Sequence, residues 1–317
     1  IALATYRGLA ARDADADLTG GPYPVVILSP GYAISATTYG WLAEHVASYG
    51  FAVIAAEHSE NLDPSLLWRA TVERPRDVAT VRAYILDEAR QGVLRGLADP
   101  ARVAVIGHSY GGYTALAAAG ARLDPARLAE ICGAARQSAD PIVFLCDALM
   151  PHVDDMAVAA GFESAPDGLW PAWAQTGVGA AIALAGDAVM FGEAGVAEID
   201  VPVMAIGGTE DTDSPYAWGT HLTYTAASSS RKVEIGLQGA EHMIFTGPCE
   251  TSRRLNAIVR APFCADPAWN KARAHDLVRH YAAAFLLAEL ESDSGAASSL
   301  APDADPYPGV DYLATGY

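Results

Sequence analysis

The feature that most constrains this chain is a short apolar run, Val103-Ala104-Val105-Ile106. It passes without a spacer into Gly107-His108-Ser109-Tyr110-Gly111-Gly112 and then into an alanine-rich helical stretch. A strand that becomes a helix within one turn must lift the turn residue out of line. The flanking glycines remove side chains that would collide with the adjoining strand and helix. Such a turn belongs to a parallel sheet with helices on its faces, because the helix has to return over the strand it left. It also leaves a serine hydroxyl beside a helix N-terminus, which favours negative charge. A G-x-S-x-G pattern alone is weak in a chain with 29 glycines. The strand before it and the helix after it separate it from an ordinary glycine-rich turn.

The rest of the chain repeats that alternation. Apolar runs predict strands at 25–28, 51–56, 179–185 and 201–206, and 232–237 reads as another strand. Helical spacing predicts helices at 37–48, after Pro75 at a first-turn position, and at 272–290. The expected fold class is α/β, a mostly parallel central sheet flanked by helices, in one domain over residues 1–317. From about 122 to 176 the rhythm breaks at Pro125, Pro141, Pro151, Pro166 and Pro171, which reads as a lid-like insertion or cap, or as a helical excursion packed on the body. Residues 291–317 read as an irregular tail. The Asp13-to-Asp17 run lacks the glycine and terminal Glu of a calcium loop and reads as a solvated acidic turn.

Charge narrows the partners. With 20 basic and 38 acidic residues the formal net charge is −18, which repels phosphate backbones and anionic lipid surfaces. Neither a nucleic acid partner nor stable membrane insertion is expected, and no apolar run approaches the roughly 18 residues of a spanning helix. A small-molecule or polymer substrate without phosphate groups fits that charge better. The start at Ile1, with no leader-like segment, reads as a mature or trimmed form. Cys132 and Cys146 are close in sequence, as are Cys249 and Cys264, and none has zinc-site spacing, so no metal or cofactor is expected. Three disulfide pairings, or free thiols, are open; the sequence-local pairing would close two loops and point to a secreted or periplasmic protein.

A serine hydroxyl needs a base to take its proton and a carboxylate to orient that base. Of the eight histidines, His242 alone sits in a loop directly after a late strand; His152, in the irregular segment, is the rival. For the acid, Glu210, Asp211 and Asp213 compete in the loop after 201–206. The spacing from Gly208 to Pro215 favours Asp211, and Asp213 is the alternative. The oxyanion needs two backbone N–H groups. Tyr110 follows the nucleophile, and Tyr32 lies in the turn after the first strand, where Gly31 permits close approach. Trp170, Trp173, Met190 and Phe191 are candidates, with the Tyr32 ring, for an apolar substrate pocket.

Together, Ser29-Pro30-Gly31-Tyr32, Gly107 to Gly112, Gly208 to Pro215 and Gly239-Ala240-Glu241-His242 resemble the α/β-hydrolase superfamily. Within it they are most similar to the bacterial esterases grouped with platelet-activating-factor acetylhydrolases, predicted dienelactone hydrolases and actinobacterial cutinases, which are polyester hydrolases. The Pro-Gly-Tyr turn and Gly-His-Ser elbow are shared with the cutinases. Ala56-Glu57-His58 and Glu73-Arg74-Pro75-Arg76-Asp77 are similar to the acetylhydrolase-like members. The resemblance, over residues 22–290, implies a Ser109–Asp211–His242 triad, Tyr32 and Tyr110 as oxyanion donors, and a C-terminal disulfide near Pro262-Phe263-Cys264. It implies a serine carboxylic ester hydrolase working through an acyl-enzyme on short to medium acyl or aryl esters, including polyester or phthalate-type esters. A lipid-type acetylhydrolase and an acyltransferase are the alternatives, with a non-catalytic binding protein behind them. Two departures stand out: dienelactone hydrolases proper use Cys where this chain has Ser109, and cutinases lack the insertion of roughly 50 residues.

Overall fold

The computed structural model describes residues 8–317 apart from 56, 60–62, 139, 248–262 and 304–306. Strands β1 (Tyr23–Ser29), β2 (Ala52–Ala55), β3 (Ala98–His108), β4 (Ala180–Leu184), β5 (Val203–Gly208), β6 (Lys232–Leu237) and β7 (Val310–Thr315) form one seven-stranded sheet. Its order is β2-β1-β3-β4-β5-β6-β7, parallel throughout except for the antiparallel β6–β7 pair. This is the α/β-hydrolase fold expected from the sequence. The inner strands are apolar along their whole length because both faces are covered. Val25, Ile27, Val103 and Val105 face one layer, and Val26, Ala104 and Ile106 face the other, as the two-residue period of a strand requires.

Helices α2 (Leu67–Gln91) and α3 (Tyr110–Ala118) cover the first face. Helices α1 (Gly40–Ser48) and α9 (Lys271–Leu290) cover the second. Pro75 does not open a helix as its spacing suggests; it lies inside α2. Proline has no N–H, so the Thr71 carbonyl one turn earlier loses its helical donor. The Tyr113 hydroxyl of α3 supplies the missing donor at 2.7 Å. The next carbonyl, Val72, accepts the Trp173 indole N–H at 3.1 Å. Tertiary donors therefore compensate the residue that would otherwise break the helix.

Between α3 and β4 the chain forms helices α4 (Pro125–Ser138), α5 (Val143–Leu149) and α6 (Val153–Ala159). A disulfide joins Cys132 of α4 to Cys146 of α5. Cys264 is also disulfide-bonded, while Cys249 lies outside the described residues. Short helices α7 (Gly192–Val196) and α8 (Thr220–Ala226) follow β4 and β5. The tail from 291, expected to be irregular, instead forms α10 (Ser294–Ser298) and then β7, which pairs along all of β6. Among the described residues no helix is long and apolar enough to cross a membrane.

Candidate active site

Ser109 stands between the last residue of β3 and the first of α3, with φ 57° and ψ −123°. A non-glycine residue held on that side of φ is strained and is kept there by its surroundings. The surroundings are tight. A Cβ on Gly107 would lie 1.9 Å from the Gly111 carbonyl oxygen, and one on Gly111 would lie 2.1 Å from the Ser29 carbonyl oxygen. Only glycine lets β1, β3 and α3 meet this closely. The Ser109 N–H donates to the Leu184 carbonyl at 2.8 Å, which ties the elbow to β4. Tyr110, as the first residue of α3, has an N–H with no helical acceptor before it.

Asp211 follows β5, and His242 opens a short 3-10 turn, His242–Phe245, after β6. The structure brings them together: His242 Nδ1–H donates to Asp211 Oδ2 at 2.7 Å, and both residues are about 5% exposed. Asp211 Oδ1 accepts the backbone N–H groups of Asp213 and Ser214 at 2.9 and 2.8 Å. Burial pushes the His242 imidazole pKa down. The hydrogen bond and charge of Asp211, aided by Asp213 and Asp187, more than offset this, and it ends above the ordinary histidine value. Asp213 is exposed and does not bond the imidazole; its backbone serves Asp211 instead.

Three buried side chains fix the turn that carries His242. Lys271 of α9 donates to the Met243 and Phe263 carbonyls and the Thr246 hydroxyl at 2.6, 2.8 and 2.8 Å. Burial pushes its ammonium pKa down to about 8. His275 Nε2–H donates to the Ile244 carbonyl at 3.0 Å, with its ring stacked on Trp41. His108, the residue before the serine, donates Nε2–H to the His242 carbonyl at 3.1 Å and accepts the Tyr39 hydroxyl proton at Nδ1, 2.8 Å away. Burial, with the nearby His242 charge, holds His108 well below the ordinary histidine pKa and so neutral. The Tyr39 oxygen in turn accepts the Gly31 N–H at 3.2 Å. One hydrogen-bonded chain thus joins the turn after β1, the elbow and the His242 turn.

Ser109 and His242 open on one cavity of about 300 Å³, without a direct hydrogen bond between them. Its other lining residues include Tyr32, Ile34, Leu67, Phe144 and Leu145, the last two from α5. Asp187, in the loop after β4, also lines it, with a carboxylate that accepts the Ser214 hydroxyl at 2.6 Å. Burial pushes Asp187 up to about 6; the negative charges of Asp211 and Asp213 add to that, and the Ser214 hydrogen bond and His242 oppose it. A larger cavity of about 500 Å³ lies at the β2 edge, and none of Ser109, Asp211 and His242 lines it.

The structure does not bring Trp170, Trp173, Met190 and Phe191 to the site. Trp170, Met190 and Phe191 are fully buried in the core, and Phe191 stacks on Tyr113 rather than facing the cavity. Trp173 is spent on the Val72 carbonyl. Large apolar side chains beside a proline-rich segment were better used as core. His152 pairs with Asp155 and stacks on Trp68, away from the cavity. The sequence reading missed Asp187. The signal was present in Ala185-Gly186-Asp187, an acid in the loop after an apolar strand, as Asp211 is.

Residues 16–143 match the Chlorophyllase family, less than half of the chain. Over 102 residues, 32% of the chain, it is 36% identical to the cutinase est1 of Thermobifida alba, of which that stretch is 32%. Over the same length it is 35% identical to the cutinase cut1 of Thermobifida fusca and 29% identical to the bis(hydroxyethyl) terephthalate hydrolase of Streptomyces coelicolor, 30% of each. The chain thus spans about a third of the length of these relatives. It carries the α/β-hydrolase fold, and in its matched part it is cutinase-like.

Proposed function

We propose that the protein is a serine carboxylic ester hydrolase. The observation that carries this reading is His242, held by the buried Asp211 and opening with Ser109 on one cavity at the carboxyl ends of the parallel strands. His242 Nε2 takes the Ser109 proton as the oxygen attacks the ester carbonyl. The developing oxyanion is received by the N–H groups of Tyr32 and Tyr110. Collapse breaks the ester C–O bond, and the imidazolium returns its proton to the departing alkoxide. Water, deprotonated by the same imidazole, then attacks the acyl-enzyme; the bond from the acyl carbon to Ser109 Oγ breaks, the imidazolium returns its proton to Oγ, and the acid is released. A nucleophile–base hydrogen bond that is missing in the free enzyme often forms only as the transition state tightens the pair.

A cavity of about 300 Å³ walled by Ile34, Leu67, Phe144 and Leu145 suits short to medium acyl or aryl groups. The cutinases and the terephthalate hydrolase extend the proposal to polyester and phthalate-type esters. Lipid-type acetyl esters and acyl transfer are the alternatives. The disulfides support an extracellular or periplasmic location for a single-domain enzyme. The test is a panel of p-nitrophenyl esters of graded chain length, bis(hydroxyethyl) terephthalate and a polyester film. Ser109→Ala serves as control, and an added alcohol reports transfer. Activity and fluorophosphonate labelling lost in Ser109→Ala are the expected result. Full activity in that variant, or none in the native chain, would sink the proposal.

A further inference from the structure

A second Ser–His–Asp arrangement lies beside the first. His58 Nδ1–H donates to Asp77 Oδ2 at 2.6 Å, which leaves Nε2 to accept the Ser29 hydroxyl proton at 2.9 Å. Ser29 and His58 are 1% and 4% exposed, and neither lines the cavity, so this serine is no second nucleophile. Its place in the chain says what it does instead. Ser29 ends β1 and begins the turn to Tyr32, and its carbonyl is the atom against which Gly111 of the elbow packs.

The same stretch of chain, residues 57 to 77, grips the turn elsewhere. Arg74, one helical turn before Asp77 on α2, donates Nη1–H to the Pro30 carbonyl at 2.9 Å. Its guanidinium lies 5.6 and 5.5 Å from the Tyr32 and Tyr110 ring centroids. Glu57 Oε1 accepts the Ser35 hydroxyl and the Ala36 N–H at 2.6 and 2.7 Å, just beyond the turn. On the hydrolase reading the turn's oxyanion donor is the Tyr32 N–H, whose aim depends on the Ser29–Gly31 backbone, and the Gly31 N–H is held by Tyr39.

We propose that Ser29, His58 and Asp77 form a positioning relay that, with Arg74, sets the direction of the Tyr32 N–H toward the oxyanion. The proposal rests on the hydrolase reading above. A buried imidazole bonded at both nitrogens fixes Ser29 more rigidly than packing alone, and an oxyanion donor displaced by about an ångström loses most of its effect. The relay serves the transition state, so it governs turnover and not substrate binding.

The experiment compares His58→Ala, His58→Gln and Asp77→Asn with the native protein. Each is measured for kcat and KM on p-nitrophenyl butyrate, and for affinity toward an alkyl boronic acid, which becomes a tetrahedral anion on Ser109, and toward p-nitrobenzyl alcohol, chosen as a neutral probe of the same cavity. His58→Ala is expected to lower kcat about 10- to 100-fold with KM within about twofold. Boronate affinity falls in parallel and p-nitrobenzyl alcohol affinity holds. Glutamine can accept from Ser29 and donate to Asp77, so His58→Gln recovers part of the loss. Asp77 is half-exposed, so Asp77→Asn folds and loses turnover to a lesser degree even where His58→Ala does not fold. A folded variant with native kcat and boronate affinity, or one that loses both ligands equally, overturns the relay alone. A native chain that hydrolyses no ester overturns the hydrolase reading and the relay with it.

Discussion

Replacing Asp211 by Asn tests the central pair and separates it from its neighbour Asp213. The charges of imidazolium and carboxylate would sit 2.7 Å apart between buried groups. With an effective dielectric constant of 20, their gross attraction is about 6 kcal/mol. That is an upper bound of somewhat over four decades in rate. Desolvation takes back part of it, so the expected loss in kcat/KM is about 10³- to 10⁴-fold, the range seen when a triad acid becomes an amide. Asn keeps the shape and one oxygen for the Asp213 and Ser214 N–H groups, so thermal unfolding should change little. Asp213→Asn removes an exposed, screened charge and should cost less than about tenfold. Both variants are assayed on p-nitrophenyl butyrate at pH 8, alongside their melting temperatures. If Asp213→Asn costs as much as Asp211→Asn, or Asp211→Asn keeps more than a tenth of native activity, the assignment of the acid fails.

Other expectations are as direct. His242 must be neutral to accept a proton, so kcat/KM should rise with pH through a value above the ordinary 6.5 of histidine. Asp187→Asn removes one negative charge that raises His242, and the acidic limb should move to lower pH; an unmoved limb would take Asp187 out of the site's electrostatics. Opening the Cys132–Cys146 loop by double serine substitution should cost about 3 kcal/mol, read as a fall of several degrees in melting temperature. An unchanged melting temperature would refute that. Gly111→Ala drives a methyl into the Ser29 carbonyl and should abolish activity or folding. Gly133→Ala, on α4 with nothing within 4 Å of the new methyl, should stabilise by up to about 1 kcal/mol. Equal outcomes for the two glycines would contradict the packing described.

Local chemistry made the sheet readable. An apolar run such as 25–28 has one use in an α/β chain, and β1 covers those residues. The elbow was legible for the same reason, since its glycines answer to contacts between neighbouring elements. What a sequence cannot display is which distant group completes a local defect. Pro75 reads as a helix start because nothing in the sequence announces that Tyr113 will supply its missing donor. Asp187 follows an apolar strand as Asp211 does, but its place at the cavity depends on how β4 and β5 align. Trp170 and Phe191 look like pocket walls by composition, and only packing reveals them as core. His58 and Asp77 lie in two segments that resemble the acetylhydrolase-like members, but nothing in the sequence pairs them or joins them to Ser29 at the end of β1.

The antiparallel pairing of Lys232–Leu237 with Val310–Thr315 matters to anyone handling this protein. A chain cut before Val310 would keep every residue of the proposed chemistry. It would also leave a row of amides and carbonyls bare along β6, ready to zip onto a second copy of itself. Shortening the C-terminus is therefore expected to cost solubility before it costs turnover.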